Sequence, residues 1–172
     1  MTLSNVARVV TDHGLHINLG ASTDIRPAWI NVDIFAYPGI DIVCDLNDPW
    51  PWPESSIDEF YAADIFEHLQ SRIFTMNQAW NCLKPGGILT MECPDAAKGA
   101  GQWQDCTHTI PWTPNGIQYF QDGSPAWKRF HDAYGILARF KVHSITERSY
   151  SEMAGSCKCE VWKFRAILEA VK

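Results

Sequence analysis

This 172-residue sequence has no glycine-rich loop of the kind that cradles phosphate. A dinucleotide site needs G-x-G-x-x-G, so that bare backbone can approach a pyrophosphate at a helix N-terminus. The only candidate window, "GASTDI" at 20–25, holds one glycine of the three, and Asp24 would set a carboxylate beside the phosphate charges. No glycine is followed by Lys-Ser or Lys-Thr, so a P-loop is missing as well. Both absences argue against an NAD-dependent enzyme or a nucleotide triphosphatase.

Long apolar runs are also missing: none approaches the roughly 20 residues that span a bilayer. The stretch "MTLSNVARVVTDHGLHINLG" shows no apolar signal segment before a small-residue cleavage site, so a cytoplasmic location away from membranes is expected. Basic charge is scarce too, with 14 Lys and Arg against 20 Asp and Glu. The net charge of −6 argues against nucleic acid as a partner, because a phosphate backbone requires clustered cations. The richest basic segment, 158–165, reads as the solvated face of a strand. The six cysteines lack metal spacing. Cys44, Cys82, Cys93 and Cys106 are isolated, and the single close pair, Cys157-x-Cys159, is half of what a structural zinc site needs. No metal site is expected.

What is present is an alternation of strand-like and helix-like segments, the pattern of an α/β sheet. At 46% hydrophobic and 20% charged residues, the chain has the balance of one globular domain over 1–172. Strands are expected at 15–20, 29–34, 40–46, 57–64 and 87–93. Two longer runs, 139–149 and 160–171, form a terminal antiparallel hairpin. Leu69, Ile73, Met76, Trp80 and Leu83 recur at spacings of four, three, four and three, one stripe of a helix packed on the sheet. "LKPGG" then stops it, since Pro85 cannot continue a helix and Gly86 can take positive φ. Only eight residues join the first two strands, fewer than a parallel crossover usually takes, so that connection should be an irregular loop on the carboxyl edge. Ligands of open α/β sheets bind at that edge.

A ligand without phosphate fits this edge. S-adenosylmethionine carries a ribose diol, an adenine and a cationic sulfonium. Gly20 would let backbone come close, Asp33 at the end of the second strand would accept the diol hydroxyls, and Asp45 after the third would reach adenine. Ala21, Ser22, Ile34 and Leu46 lie along the same edge, and Asp64, ending the fourth strand, could meet the methionine amine or the acceptor. Acids at strand ends also cap turns, so each has a purely local alternative; their succession after three strands is what favours a ligand.

Residues 15–95 resemble the class I S-adenosylmethionine-dependent methyltransferases, in particular the methyltransferase type 11 branch. The resemblance rests on "INLGAS", "AWINVDI", "DLNDPWPWPESSIDEF", "FEHL" and "LKPGG", five ordered motifs over about half of the chain. A later stretch, "QDCTHTIPWTPNGIQYF", is similar to another region of the same branch. Ser22 stands where the family usually has a second glycine, and Asp64 where a His or Asn is common. The resemblance implies a Rossmann-like three-layer sandwich with a mostly parallel seven-stranded sheet and an antiparallel C-terminal strand. It further implies S-adenosyl-L-methionine as cofactor, S-adenosyl-L-homocysteine as product, and a small-molecule or sugar/glycan acceptor, in a monomer or homodimer.

For nucleophile activation the sequence offers His108 with Asp105 as its orienting partner, in the loop after the fifth strand; the alternative is that His108 only pins that loop. Glu67 and His68 read as end-capping groups. The aromatic residues Trp103, Trp112, Tyr119, Phe120, Trp127 and Phe130 read mainly as core. A second reading of the whole chain is a catalytically impaired methyltransferase-fold module that binds S-adenosylmethionine or S-adenosylhomocysteine.

Overall fold

The computed structural model describes residues 14–154 and 157–172, without the side chains of Ala154 and Cys157. Seven strands form one sheet in the order β3-β2-β1-β4-β5-β7-β6. They are β1 (His16–Leu19), β2 (Ile30–Asp33), β3 (Ile42–Val43), β4 (Ile57–Ala63), β5 (Leu83–Gly99), β6 (Phe140–Ala154) and β7 (Cys157–Ala170). The first five pair in parallel, and β7 lies antiparallel between β5 and β6. This is the Rossmann-like, mostly parallel sheet expected from the sequence. Strand β3 is only two residues long, shorter than the expected 40–46, whereas β6 and β7 run longer and form an extended ribbon.

The helix foreseen from the apolar stripe is α1 (Arg72–Cys82). It starts after Ser71, whose side chain accepts a hydrogen bond from the Phe74 N–H, the usual remedy for an orphan donor at a helix start. It ends one residue before Leu83, so Leu69 and Leu83 bury just outside the helix while Met76 is fully enclosed. Gly86 takes φ +78°, as its place after Pro85 requires. A second helix, α2 (Pro125–Tyr134), begins at Ser124 and closes on Gly135 in the left-handed region. Among the described residues no helix is long and apolar enough to cross a membrane.

Strands β1 and β2 are joined without a helix, although they pair in parallel from Ile17 opposite Ile30. Such a connection leaves backbone polar groups that no helix satisfies. Two buried asparagines, opposite each other in the register, do so instead. Asn31 Oδ1 accepts from the Arg26 N–H at 2.9 Å, and its Nδ2 donates to the Arg26 and Trp29 carbonyls. Asn18 Nδ2 donates to the Asp24 carbonyl at 2.7 Å. Trp50 and Trp52 bury against Phe60 at ring distances of 5.2 and 5.4 Å, so the segment between β3 and β4 fills the core without regular structure. Trp112 and Phe120 are core as expected, whereas Trp103 is exposed, and Tyr119 stacks on Phe130 at the surface.

Candidate functional site

The carboxyl ends of β1, β2 and β3 surround an open cleft on the edge of the sheet where ligands of such folds bind. Gly20, Asp33, Ile34, Asp45 and Leu46, assigned to the cofactor from the sequence, all line it. Ala21, Ser22 and Asp64 are not among its lining residues.

Gly20 and Ser22 turn the chain back over the edge with φ of +64° and +44°. A Cβ on Gly20 would stand 2.6 Å from the Ile65 Cβ. The chain's own packing therefore demands this glycine, and the close approach foreseen for a ligand is made by Ile65. Ser22 adopts a left-handed conformation without being glycine, which costs roughly 1–2 kcal/mol. Its backbone N–H is held by Asp33 Oδ2 at 2.9 Å, while Asp33 Oδ1 accepts the Phe35 N–H at 2.9 Å. The carboxylate is buried and fixed from both sides. A carboxylate offers about four acceptor positions, so each oxygen keeps one. Asp45 is half-buried, and its Oδ1 accepts both the backbone N–H and the Nδ2 of Asn47. It thus begins a turn, the local alternative, while still facing the cleft.

A second, polar pocket adjoins the first, and His68 lines both. Asp64 lies here, paired with Lys163 from β7 rather than placed in the first cleft. Glu67, His68, Asp105 and His108 line the same pocket. They come together because the loop after β5 is pinned onto the 310 turn Phe66–His68. The Glu67 carbonyl accepts the Thr109 and Ile110 N–H groups, and the Thr109 hydroxyl donates to the Leu69 carbonyl. The His68 and His108 rings then meet edge to face at 4.7 Å.

The hydrogen bonds assign the ring protons. Thr107 Oγ1 donates its one hydrogen to Asp105 Oδ1 at 2.6 Å, so its contact with His68 Nδ1 at 3.0 Å is donated by the ring. His108 Nδ1 lies 3.0 Å from the Gln102 carbonyl, which can only accept. Each ring therefore carries a hydrogen on Nδ1, and its neutral form has the lone pair on Nε2. Asp105 Oδ2 stands 3.8 Å from His108 Nε2, beyond hydrogen-bond reach. The orienting partner of His108 is the Gln102 carbonyl, and Asp105 acts on His68 through Thr107.

Glu67 was not singled out in the sequence beyond a capping role. It is fully buried, and neither carboxylate oxygen has a hydrogen-bond partner of good geometry; the buried Cys93 thiol nearby is at best a weak donor. Desolvation pushes its carboxyl up to about 8. Burial, and then the neighbouring His108, hold the His68 imidazole below its usual value. Cys159 is a free thiol, and the side chain of its companion Cys157 lies outside the described residues.

Several solved structures that share this architecture are described as methyltransferases. A candidate methyltransferase from Bacillus halodurans matches over 98% of this chain and 100% of its own, with a TM-score of 0.67 at 8% identity. An S-adenosylmethionine-dependent methyltransferase from Methanosarcina mazei matches over 99% of this chain and 98% of its own, with a TM-score of 0.60 at 9% identity. The Burkholderia thailandensis 1,6-didemethyltoxoflavin-N1-methyltransferase, solved with S-adenosylhomocysteine, matches over 92% and 72%, with a TM-score of 0.57 at 10% identity. The fold is thus the one these methyltransferases use. No family model matches the chain. No curated protein matches it either. The likeness to the type 11 branch therefore rests on the quoted motifs.

Proposed function

We propose that the protein is an S-adenosylmethionine-dependent methyltransferase acting on a small-molecule or sugar acceptor. The observation that carries this is Asp33. Its carboxylate is held by two backbone N–H groups and keeps one acceptor position on each oxygen, the number a ribose diol needs. The residues around it suit the rest of the cofactor. Ile34, 52% exposed, supplies an apolar wall for a flat base, and Asp45 faces the same cleft. A surround rich in carboxylates favours a cation.

When bound, S-adenosylmethionine supplies an activated methyl group on a cationic sulfur. The chain's part is to hold an acceptor in line with it. Orientation of this kind can account for roughly 7–11 kcal/mol of a barrier. The polar pocket is placed for the acceptor, because His68 forms the border between it and the cleft. It is open to solvent, and its donors and acceptors match hydroxyl-rich ligands. The net charge of −6 speaks against a polyanionic acceptor.

The test is calorimetric titration with S-adenosylmethionine, S-adenosylhomocysteine and NAD, beside a methyl-release assay over hydroxylated small molecules and sugars. Micromolar binding of the two adenosyl ligands but not NAD, with turnover on one acceptor class, is the expected result. Binding without turnover on any acceptor would favour the impaired binding module. Binding of NAD alone would overturn the proposal.

A further inference from the structure

We infer that Glu67, His68 and His108 form a binding site for one divalent transition-metal ion of the zinc, iron and manganese series, on the wall of the polar pocket. A ring nitrogen from each histidine and a carboxylate oxygen of Glu67 all lie within 4.8 Å of one another. Atoms 2.0–2.2 Å from one ion stand at most about 4.4 Å apart. The three groups are therefore slightly open, and an ion draws them in.

Three further features point to a cation. Glu67 is fully buried, lines the pocket, and has no hydrogen-bond partner of good geometry on either oxygen, its own backbone N–H and the weakly donating Cys93 thiol being the nearby groups. A carboxylate in that position is costly unless a cation compensates it. Lys163, the ammonium group lining this pocket, is already paired with Asp64. Both imidazoles, moreover, have Nδ1–H committed to an acceptor, Thr107 Oγ1 for His68 and the Gln102 carbonyl for His108. Outer hydrogen bonds of this kind fix the tautomer that leaves Nε2 free to ligate.

Two imidazoles and one carboxylate select transition metals over Mg2+ or Ca2+, which prefer all-oxygen sites. Three protein ligands also leave coordination positions open to a water or an acceptor oxygen. An acceptor hydroxyl held there loses its proton to solvent more readily, keeping the O–H electron pair as its nucleophile. That role rests on the methyltransferase reading of the pocket, whereas the site itself does not.

The experiment is equilibrium dialysis of the chelator-stripped full chain against Zn2+, Mn2+ and Mg2+ separately, with elemental analysis. One Zn2+ or Mn2+ per chain at micromolar or lower concentration is expected, with no comparable uptake of Mg2+. Glu67→Gln and His108→Ala, each checked for folding by circular dichroism, should weaken uptake at least tenfold. The Cys157→Ser/Cys159→Ser double variant should retain it. No uptake by the wild type, uptake indifferent to Glu67→Gln and His108→Ala, or loss of uptake in the cysteine variant would each overturn the site. S-adenosylmethionine is titrated separately into the stripped protein. Cofactor binding without metal uptake sinks the metal site alone, and metal uptake without cofactor binding supports the site while removing its role in methyl transfer.

Discussion

The Asp33 carboxylate bridges two loops: Oδ2 holds the Ser22 N–H at 2.9 Å, and Oδ1 holds the Phe35 N–H at 2.9 Å. One side chain thereby sets the shape of the cleft edge and presents its remaining lone pairs to a ligand. Asp33→Asn keeps the volume but turns one acceptor into a donor facing an N–H. The variant should lose about 1.5–3 kcal/mol of stability, the range for a hydrogen bond to a charged group. S-adenosylmethionine affinity should fall at least tenfold. Denaturant unfolding and calorimetry measure the two separately, and unchanged affinity would refute the ribose contact.

Gly20 makes a different prediction, one about packing. Alanine there would carry a Cβ at φ +64° and 2.6 Å from the Ile65 Cβ. Left-handed strain and overpacking each cost on the order of 1–3 kcal/mol, so Gly20→Ala should destabilise by about 2–4 kcal/mol. Adding Ile65→Gly removes the clash but not the strain. The double variant should be less destabilised than the sum of the two single changes. Strict additivity in urea unfolding would show that the two side chains do not meet.

Much of this architecture is readable from the sequence, and what escapes it has physical causes. The five parallel strands announce themselves because buried strands read as short apolar runs, and α1 because its stripe repeats at helical spacing. Ends were less legible. The helix begins at Ser71, a capping side chain, and not at the first apolar residue of the stripe, Leu69. In the site, Gly20, Asp33, Ile34, Asp45 and Leu46 follow from one rule, that ligands sit past strand tips. Glu67 and His68 escaped because their partners are about 40 residues away in sequence, on a loop whose placement depends on backbone bonds to Glu67 itself. The signal was the adjacent acid and imidazole of "FEHL", directly after β4.

Asn18 and Asn31 stand in for the helix that usually links two such parallel strands. Replacing Asn31 by leucine strands the Arg26 N–H, the Arg26 and Trp29 carbonyls and the Asn18 amide. Leaving buried polar groups unpaired costs about 1–3 kcal/mol each, reduced where water reaches them, so a loss of about 2–4 kcal/mol is expected. Asn18→Leu/Asn31→Leu should cost less than the sum of the single changes, because the amide–amide contact is lost only once. A double variant costing the full sum would mean that the two amides act independently.

Glu67 gives the stripped protein a distinctive pH dependence. Its folded carboxyl titrates near 8, above the ordinary value of 4.5, so the folded state holds a proton that the unfolded state has released between those limits. This contribution is fully present below about pH 4.5 and is lost as pH rises through 8. Its slope reaches about −1.4 kcal/mol per pH unit. Asp105, held below its usual range by its bonds from Thr107, acts in the opposite sense and only at low pH. Subtracting the Glu67→Gln profile from the wild-type profile isolates the glutamate. The difference should fall steadily from pH 5 to pH 8, and a flat difference would place the carboxylate in a solvated or paired setting.

His68 and His108 touch rings, yet their positions predict different kinetics. His68 borders both the cofactor cleft and the polar pocket, whereas His108 lines the polar pocket alone. His108→Ala should therefore lower turnover by about 10²-fold or more, the scale on which a group activating a nucleophile contributes, with cofactor affinity nearly unchanged. His68→Ala should lower both, because it removes a wall of the cleft together with an activating nitrogen. Cofactor titration beside steady-state kinetics separates the two effects. Equal losses of affinity and turnover in His108→Ala would assign that ring to loop support, since its Nδ1–H bond to the Gln102 carbonyl ties the two ends of residues 102–108 together. Rescue by His108→Asn would reinforce that outcome, because an amide can donate a bond to a carbonyl but supplies no basic nitrogen. Failure of that rescue, with affinity intact, would leave the imidazole lone pair as the group the reaction requires.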